Sequence, residues 1–215
     1  FFVLHGYIEP YGSTSTSNAT KGVFLIKSID FGVTFSSHGP APLVESECGI
    51  AFLQGPSKGD IYMNCRPANA SMPHSRTQLV WNAKSMTWGD PSSPSNMVDP
   101  SCQGSVASFN GSLYVSHVDS ATGRVRMTVQ RSDDGGKHWS TGNVVWAGPS
   151  GYSQLVPLSN GSLGLLFEAG NSPHWWHFSD TIQFKLLGQI VGRNTPYPPQ
   201  QNLERDPNRT QAALL

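Results

Sequence analysis

Three stretches of this chain, residues 47–66, 102–117 and 151–169, share one pattern: an apolar run, a turn containing Gly, and a second apolar run. The two later turns are Asn110-Gly111 and Asn160-Gly161, a dipeptide suited to tight hairpins because both positions tolerate positive φ. Few segments show helical periodicity, and Gly and Pro recur between the runs. A second series keeps similar time. Phe35 in Ser-Ile-Asp-Phe-Gly-Val-Thr-Phe, Trp88 in Lys-Ser-Met-Thr-Trp and Trp139 in Ser-Asp-Asp-Gly-Gly-Lys-His-Trp end similar segments, 53 and 51 residues apart. Antiparallel hairpins recurring about every fifty residues predict an all-β chain built from propeller blades.

The segments at Ser28 and Ser132 follow Ser-x-Asp-x-Gly-x-x-aromatic, the Asp-box. In such a corner the carboxylate ties neighbouring backbone N–H groups, Gly permits the turn, and the ring anchors the corner in its blade. Asp30 and Asp134 are therefore read as structural acids. The middle copy has decayed, with Ala83 and Ser85 at the Asp and Gly positions. Residues 192–215, with Pro196, Pro198, Pro199 and Pro207, read as a disordered tail, which leaves 1–191 as a partial propeller domain.

Composition removes several classes of function. The formal net charge is zero and charged residues are 13% of the 215, so no basic field points to nucleic acid or membranes. No apolar stretch approaches the roughly 20 residues that span a bilayer. The opening Phe-Phe-Val-Leu-His-Gly reads as a strand cut from a longer protein and not as a signal peptide. Cys48, Cys65 and Cys102 lack zinc-site spacing, and His74, His117, His174 and His177 show no metal-ligand pattern, so neither metal nor cofactor is expected. Cys48 and Cys65 flank one predicted hairpin and a bridge between them is conceivable; buried free thiols are the blander reading. Sequons at Asn18, Asn69, Asn110, Asn160 and Asn208 point to the secretory pathway, although Asn110 and Asn160 also serve as turn residues. Trp175 and Trp176 are read as core, with a sugar-binding rim as the alternative.

The candidate chemistry lies at the edges of strand-like segments. Glu47 opens Glu-Cys-Gly-Ile-Ala-Phe-Leu, Arg66 closes Met-Asn-Cys-Arg, Arg124 opens Arg-Val-Arg-Met-Thr-Val, and Tyr152 sits in Gly-Tyr-Ser-Gln-Leu. A planar guanidinium donates two parallel hydrogen bonds to a carboxylate and stays charged at any working pH. A phenol, with a pKa near 10, needs an adjacent carboxylate to take its proton before it can attack. Arg76 and Arg126 compete with Arg66 and Arg124. Arg126 is expected on the strand face of Arg124, and Arg76 at the start of the strand leading to the middle box. Without their flanking motifs, Tyr152 would read as a strand-edge aromatic and Glu47 as an ordinary exposed acid.

Those flanking motifs carry a resemblance. Over about residues 22–190 the chain resembles the sialidase (neuraminidase) family, and among its members the lysosomal-type animal enzymes. The likeness rests on Glu-Cys-Gly-Ile ahead of Met-Asn-Cys-Arg, on Cys102-Gln103-Gly104-Ser105-Val106, and on Arg124-Val-Arg-Met-Thr-Val before an Asp-box. Gly151-Tyr152-Ser153 ahead of Gly164-Leu165-Leu166-Phe167-Glu168 completes it. Gln154, where many members have Asp, and His138, in place of the usual Thr, depart from the pattern without removing a catalytic group.

The resemblance implies a six-bladed propeller with its site at the centre of one face. It implies retaining hydrolysis of terminal α-linked sialic acids on glycoproteins, glycolipids or oligosaccharides. Tyr152 would be the nucleophile and Glu47 its partner; Arg66 and Arg124 would be two of three arginines gripping the substrate carboxylate. Glu168 would orient the third. A sialic acid bears its carboxylate on the anomeric carbon, where a carboxylate nucleophile would be repelled, which suits a neutral phenol. The third arginine, in an Arg-Ile-Pro motif, and the Asp acid/base are expected ahead of Phe1. The sialylated glycan is the expected partner, and a lysosomal or extracellular location is expected, with the cytoplasm as alternative. A non-enzymatic glycan-binding propeller and a trans-sialidase are the rival functions.

Overall fold

The computed structural model describes residues 2–8, 20–43, 47–67, 75–171 and 180–187. The tail at 192–215, the sequons at Asn18, Asn69 and Asn208, and His74, His174, Trp175, Trp176 and His177 lie outside the described residues. Among these residues thirteen strands follow in order: β1 (Phe2–Ile8), β2 (Thr20–Lys27), β3 (Ser36–Pro40), β4 (Cys48–Phe52), β5 (Ile61–Cys65), β6 (Thr77–Asn82), β7 (Thr87–Trp88), β8 (Ser105–Phe109), β9 (Ser112–Val118), β10 (Val125–Ser132), β11 (Asn143–Pro157), β12 (Leu163–Ala169) and β13 (Thr181–Leu187). Among the described residues there is no α-helix, and none long and apolar enough to cross a membrane. The all-β expectation holds.

The strands form three antiparallel meanders, β1-β2-β3, β4-β5-β6-β7 and β8 through β13. The largest sheet turns on β11. Its first half pairs with β10, from Val129↔Asn143 to Val125↔Pro149, and its second half pairs with β12, from Ser150↔Ala169 to Pro157↔Leu163. One 15-residue strand is thus the outer strand of one meander and the first strand of the next. The opening strands β4 and β8 pack together, as do β8 and β11.

Alternation places the cores between successive sheets. Val23, Met63, Cys65 and Leu79 pack the first meander on the second. Tyr62, Met97, Val106, Val115 and Trp139 join the second to the third. Cys102, Ala107, Tyr114, Met127, Leu155, Leu165 and Phe167 fill the space between the two halves of the large sheet. On the other side of β12 and β13, Leu166, Ile182, Phe184 and Leu186 are exposed.

Both intact Asp-boxes fold as the motif demands. Asp30 Oδ1 accepts the Thr34 N–H at 2.9 Å and Asp134 Oδ1 accepts the His138 N–H at 2.9 Å. Thr34 Oγ1 donates to Asp30 Oδ2 at 2.6 Å, and His138 Nδ1 lies 2.6 Å from Asp134 Oδ2, so His138 fills the place of the Thr. The Thr34 hydroxyl, the Thr34 N–H and the Ser28 hydroxyl draw Asp30 down to about 2. These acids hold corners. In the decayed copy Asn82 takes over, its Oδ1 accepting the N–H groups of Lys84 and Ser85.

Three expectations change. Trp139 is 9% exposed, its indole N–H donating to Gln78 Oε1 and Gly136 O and its ring 5.8 Å from Tyr62 on the preceding sheet, but Phe35 stays 54% exposed. The ring anchors its corner on the sheet before it, and the first described meander has no predecessor among the described residues. The Asn110-Gly111 turn is the expected two-residue hairpin, with φ of 48° and 82°. At Asn160-Gly161 only Gly161 is left-handed, and the loop runs five residues, Leu158–Ser162, closed by Gly161 N–H to Leu158 O and Leu158 N–H to Ser162 O. Finally, Cys48 and Cys65 are not free thiols: directly opposed in the β4–β5 register, they form a disulfide, while Cys102 is a buried thiol.

Trp139→Ala should therefore cost about 3–5 kcal/mol, as loss of a buried aromatic does. Phe35→Ala, at the same box position, should stay within about 0.5 kcal/mol. Denaturant unfolding of the two variants measures this; equal costs would contradict the reading that the boxes anchor backward onto the preceding sheet.

Candidate active site

Glu47 stands immediately before β4 and Arg66 immediately after β5, so they extend that hairpin by one pair. The Arg66 N–H donates to Glu47 O at 2.9 Å, and Arg66 Nη1 donates to Glu47 Oε2 at 2.6 Å. The Cys48–Cys65 disulfide closes the next pair of the ladder. The acid and the guanidinium are thereby held at one end of a hairpin with a covalent tie beneath them.

Tyr152 enters from the opposite sheet. The β11–β12 register slips between Ser150 and Ser153, which takes Tyr152 out of the ladder; its N–H donates instead to Glu168 Oε2 at 2.9 Å. Its hydroxyl donates to Glu47 Oε1, a short contact. Glu47 thus accepts from Tyr152 on one oxygen and from Arg66 on the other. Arg124, just before β10, places its guanidinium carbon 5.6 Å from the centre of the Tyr152 ring. All five residues singled out in the sequence, Glu47, Arg66, Arg124, Tyr152 and Glu168, meet in one place, although Tyr152 lies inside a long strand and not at a strand edge.

The competing arginines do not. Arg126 sits in a register shift of β10 with φ of 66°, which removes it from the face expected two residues after Arg124; it pairs with Asp119 at 3.3 Å. Arg76 is fully buried, just ahead of β6 as expected, and donates to Asp99 Oδ2 at 2.7 Å and to Cys102 O at 2.9 Å.

Arg76 nevertheless serves the site from behind. Asp99 also accepts the Cys102 N–H at 2.7 Å, so the Arg76–Asp99 pair fixes the loop that carries Ser101 and Gln103. Ser101 Oγ accepts from Arg66 Nε at 3.1 Å. The Gln103 carboxamide donates to Ser153 O at 3.1 Å and accepts the Ser153 N–H at 2.9 Å, gripping the backbone beside Tyr152 as a neighbouring strand would. A Cβ on Gly104 would lie 2.6 Å from Ser116 O and 2.9 Å from Arg76 Cζ, so only Gly lets the loop approach. Sequence reasoning assigned no role to Ser101 or Asp99. Gln103 and Gly104 stood in a quoted motif, but Gln103 acts on Ser153, fifty residues away, and Gly104 is fixed by Ser116 and Arg76, 12 and 28 residues away.

The electrostatics follow from the contacts. Burial pushes the Glu47 carboxyl up, but the hydrogen bonds from Tyr152 and Arg66 and the charges of Arg66 and Arg124 prevail, and the group lies below the ordinary glutamate value. Burial raises the Tyr152 phenol, and its hydrogen bond to Glu47 and that carboxylate's charge raise it further, so the proton rests on oxygen at neutral pH. The resting pair is a phenol donating to an ionised acid. An open depression of about 310 Å³ beside it is lined by Gln103, Tyr152, Gln154, Leu166, Glu168 and Ile182. A larger one, about 560 Å³, lies away from these groups against the structural Asp134. Among the described residues no cluster of His, Cys, Asp or Glu could hold a metal.

The family described as BNR repeat-like domain matches residues 6–165. Among solved structures, a Hadza microbial sialidase superposes with a TM-score of 0.63 and 25% identity, over 79% of this chain and 33% of its own. The NanB sialidase from Streptococcus pneumoniae gives 0.62 and 18%, over 77% and 27%. The intramolecular trans-sialidase from Ruminococcus gnavus gives 0.59 and 14%, over 78% and 38%. The last two similarities bear on fold, which is that of sialidase β-propellers. The chain spans about a third of the length of these structures. No curated protein sequence matches it.

A group with a lowered folded-state pKa contributes stability that is full above its unfolded value and lost as pH falls through the folded one. Glu47 should behave so, with a carboxyl-carbon NMR midpoint below that of an ordinary glutamate. Tyr152→Phe removes one hydrogen bond to the ionised form and should move the midpoint upward. A midpoint at or above the ordinary value, or one indifferent to the phenol, would break the assigned pair.

Proposed function

We propose, from membership of the BNR repeat-like domain family, to which this chain belongs, that it carries the nucleophile half of a retaining exo-α-sialidase site. The observation that carries this reading is the Tyr152 hydroxyl donating to a Glu47 carboxylate that Arg66 also holds. A glycan-binding protein gains nothing from a proton acceptor on the phenol, whereas a nucleophile requires one.

The substrate carboxylate docks between Arg66 and Arg124. Tyr152 Oη bonds to the anomeric carbon as the glycosidic bond breaks, and its proton passes to Glu47. The departing oxygen takes a proton from an acid on another part of the protein. Water then reverses the sequence, with Glu47 returning the proton to Tyr152, so two displacements retain configuration. Arg66 and Arg124 act in ground and transition states alike and hold the substrate, while the Tyr152–Glu47 couple acts in the bond-changing steps.

Two features support a further sheet across the open side. Leu166, Ile182, Phe184 and Leu186 form an exposed apolar face on β12 and β13, and Glu168 lines the depression at its end. A sheet seated there brings an acid and a third arginine to Tyr152 and Glu168, as in a closed propeller of six blades. The substrates are terminal α-linked sialic acids of glycoproteins, glycolipids or oligosaccharides.

The test is hydrolysis of a fluorogenic sialoside by the full-length protein, with the product anomer read by NMR. The α-anomer should form first. Glu47→Gln should reduce kcat by about 10²–10⁴-fold, the usual worth of a positioned base. Arg124→Lys should lower kcat/KM by about tenfold to a hundredfold, through the lost fork of charge-assisted bonds. Initial release of the β-anomer, or full turnover in Tyr152→Phe, would overturn the assignment.

A further inference from the structure

Two of the five sequons lie among the described residues, and the proposed chemistry uses neither. Asn110-Gly111-Ser112 forms the β8–β9 turn, and Asn160-Gly161-Ser162 lies in the β11–β12 loop. We propose that both asparagines carry N-linked oligosaccharides and that the chain matures in an oxidising, glycosylating compartment.

The local geometry admits the modification. Asn110 and Asn160 are exposed, and a Cβ built on either neighbouring glycine, Gly111 or Gly161, has no atom within 4 Å, so open space surrounds both tips. Asn160 uses its carbonyl oxygen to accept the Ser162 N–H at 3.0 Å, and the amide nitrogen is the atom that glycosylation modifies. Turn formation accounts for Asn-Gly. It does not account for a hydroxyl two residues on. Ser112 bonds Asp133, but among the described residues the Ser162 hydroxyl makes no hydrogen bond.

The two tips share one end of the molecule. Gln103 grips Ser153 just ahead of β8, and Ser105 Oγ accepts the Leu155 N–H, so β8 and the second half of β11 run side by side in the same direction. Tyr152 lies where these strands begin and the sequons where they end. Five residues of extended strand, from Tyr152 to Pro157, and then the turn separate Tyr152 from Asn160, a strand length of about 17 Å at roughly 3.3 Å per residue. Oligosaccharides at both tips leave the site face open.

The Cys48–Cys65 disulfide is independent support, because such bonds persist where thiols are not kept reduced. The donor is an oligosaccharide on a lipid diphosphate. The asparagine nitrogen bonds to the sugar's anomeric carbon, the bond from that carbon to phosphate oxygen breaks, the lipid diphosphate leaves, and the amide proton passes to a base of the transferase.

The protein isolated from its own cells should be treated with peptide-N-glycosidase in ¹⁸O-water and mapped by mass spectrometry. Both Asn110 and Asn160 should appear as ¹⁸O-labelled aspartate, and sialoside kcat/KM should change by less than about twofold on glycan removal. An unlabelled asparagine at either position overturns the proposal. In a eukaryotic secretory host, Asn110→Asp and Asn160→Asp keep the turn geometry and should each remove one glycan from the intact mass; a mass shift unaffected by either variant also overturns it. The mapping needs no turnover, so it stands or falls separately from the sialidase reading.

Discussion

The Glu47 carboxylate is the point on which the site depends. One oxygen receives the Tyr152 hydroxyl and the other the Arg66 guanidinium, joining the β4–β5 hairpin to β11 through a single side chain. Burial alone would favour a neutral acid there, and a neutral acid could not take the phenol's proton. Two donors and a second arginine reverse that preference. The same contacts keep the phenol protonated, because ionising it beside a carboxylate would set two negative charges together. The pair is poised for proton transfer without an unpaired charge at rest.

Holding three strands from two sheets to that tolerance takes a frame, and the frame is rigid in identifiable places. The disulfide ties β4 to β5 one pair below Glu47 and Arg66. The buried Arg76–Asp99 pair shapes the loop from which Ser101 reaches Arg66 and Gln103 grips Ser153. A buried ion pair is weak evidence for net stability, but removing one partner strands a charge in the interior. Here its contribution is the path of a loop that touches both halves of the site. The Asp-box acids, far more conspicuous in the sequence, hold hairpin corners away from it.

Much of this was legible in the sequence because local chemistry expresses it locally. Strand-period runs and Gly turns specified the meanders, and the Ser-x-Asp-x-Gly spacing specified corners that close within five residues. The five site residues were legible through their flanking motifs; no spacing rule places Glu47 beside a phenol 105 residues later. What escaped was non-local or depended on one dihedral. Arg126 leaves the expected face because a left-handed residue interrupts β10. Phe35 stays exposed where Trp139 is buried, because Trp139 packs on the sheet that precedes its own. Cys48 and Cys65 bond because the register sets them opposite one another, and Ser101 and Gln103 act through partners far along the chain.

The central claim, that Tyr152 attacks the sugar with Glu47 as its base, is tested most directly by trapping the covalent adduct. A sialosyl fluoride bearing fluorine at the adjacent ring carbon suits this, because fluoride departs without an acid and the second fluorine slows hydrolysis of the intermediate. Peptide mapping of the quenched protein should find the sugar on the Tyr152 phenol, and Glu47→Gln should slow its appearance. An adduct on Glu47 or Glu168, or no adduct on Tyr152, would contradict the claim.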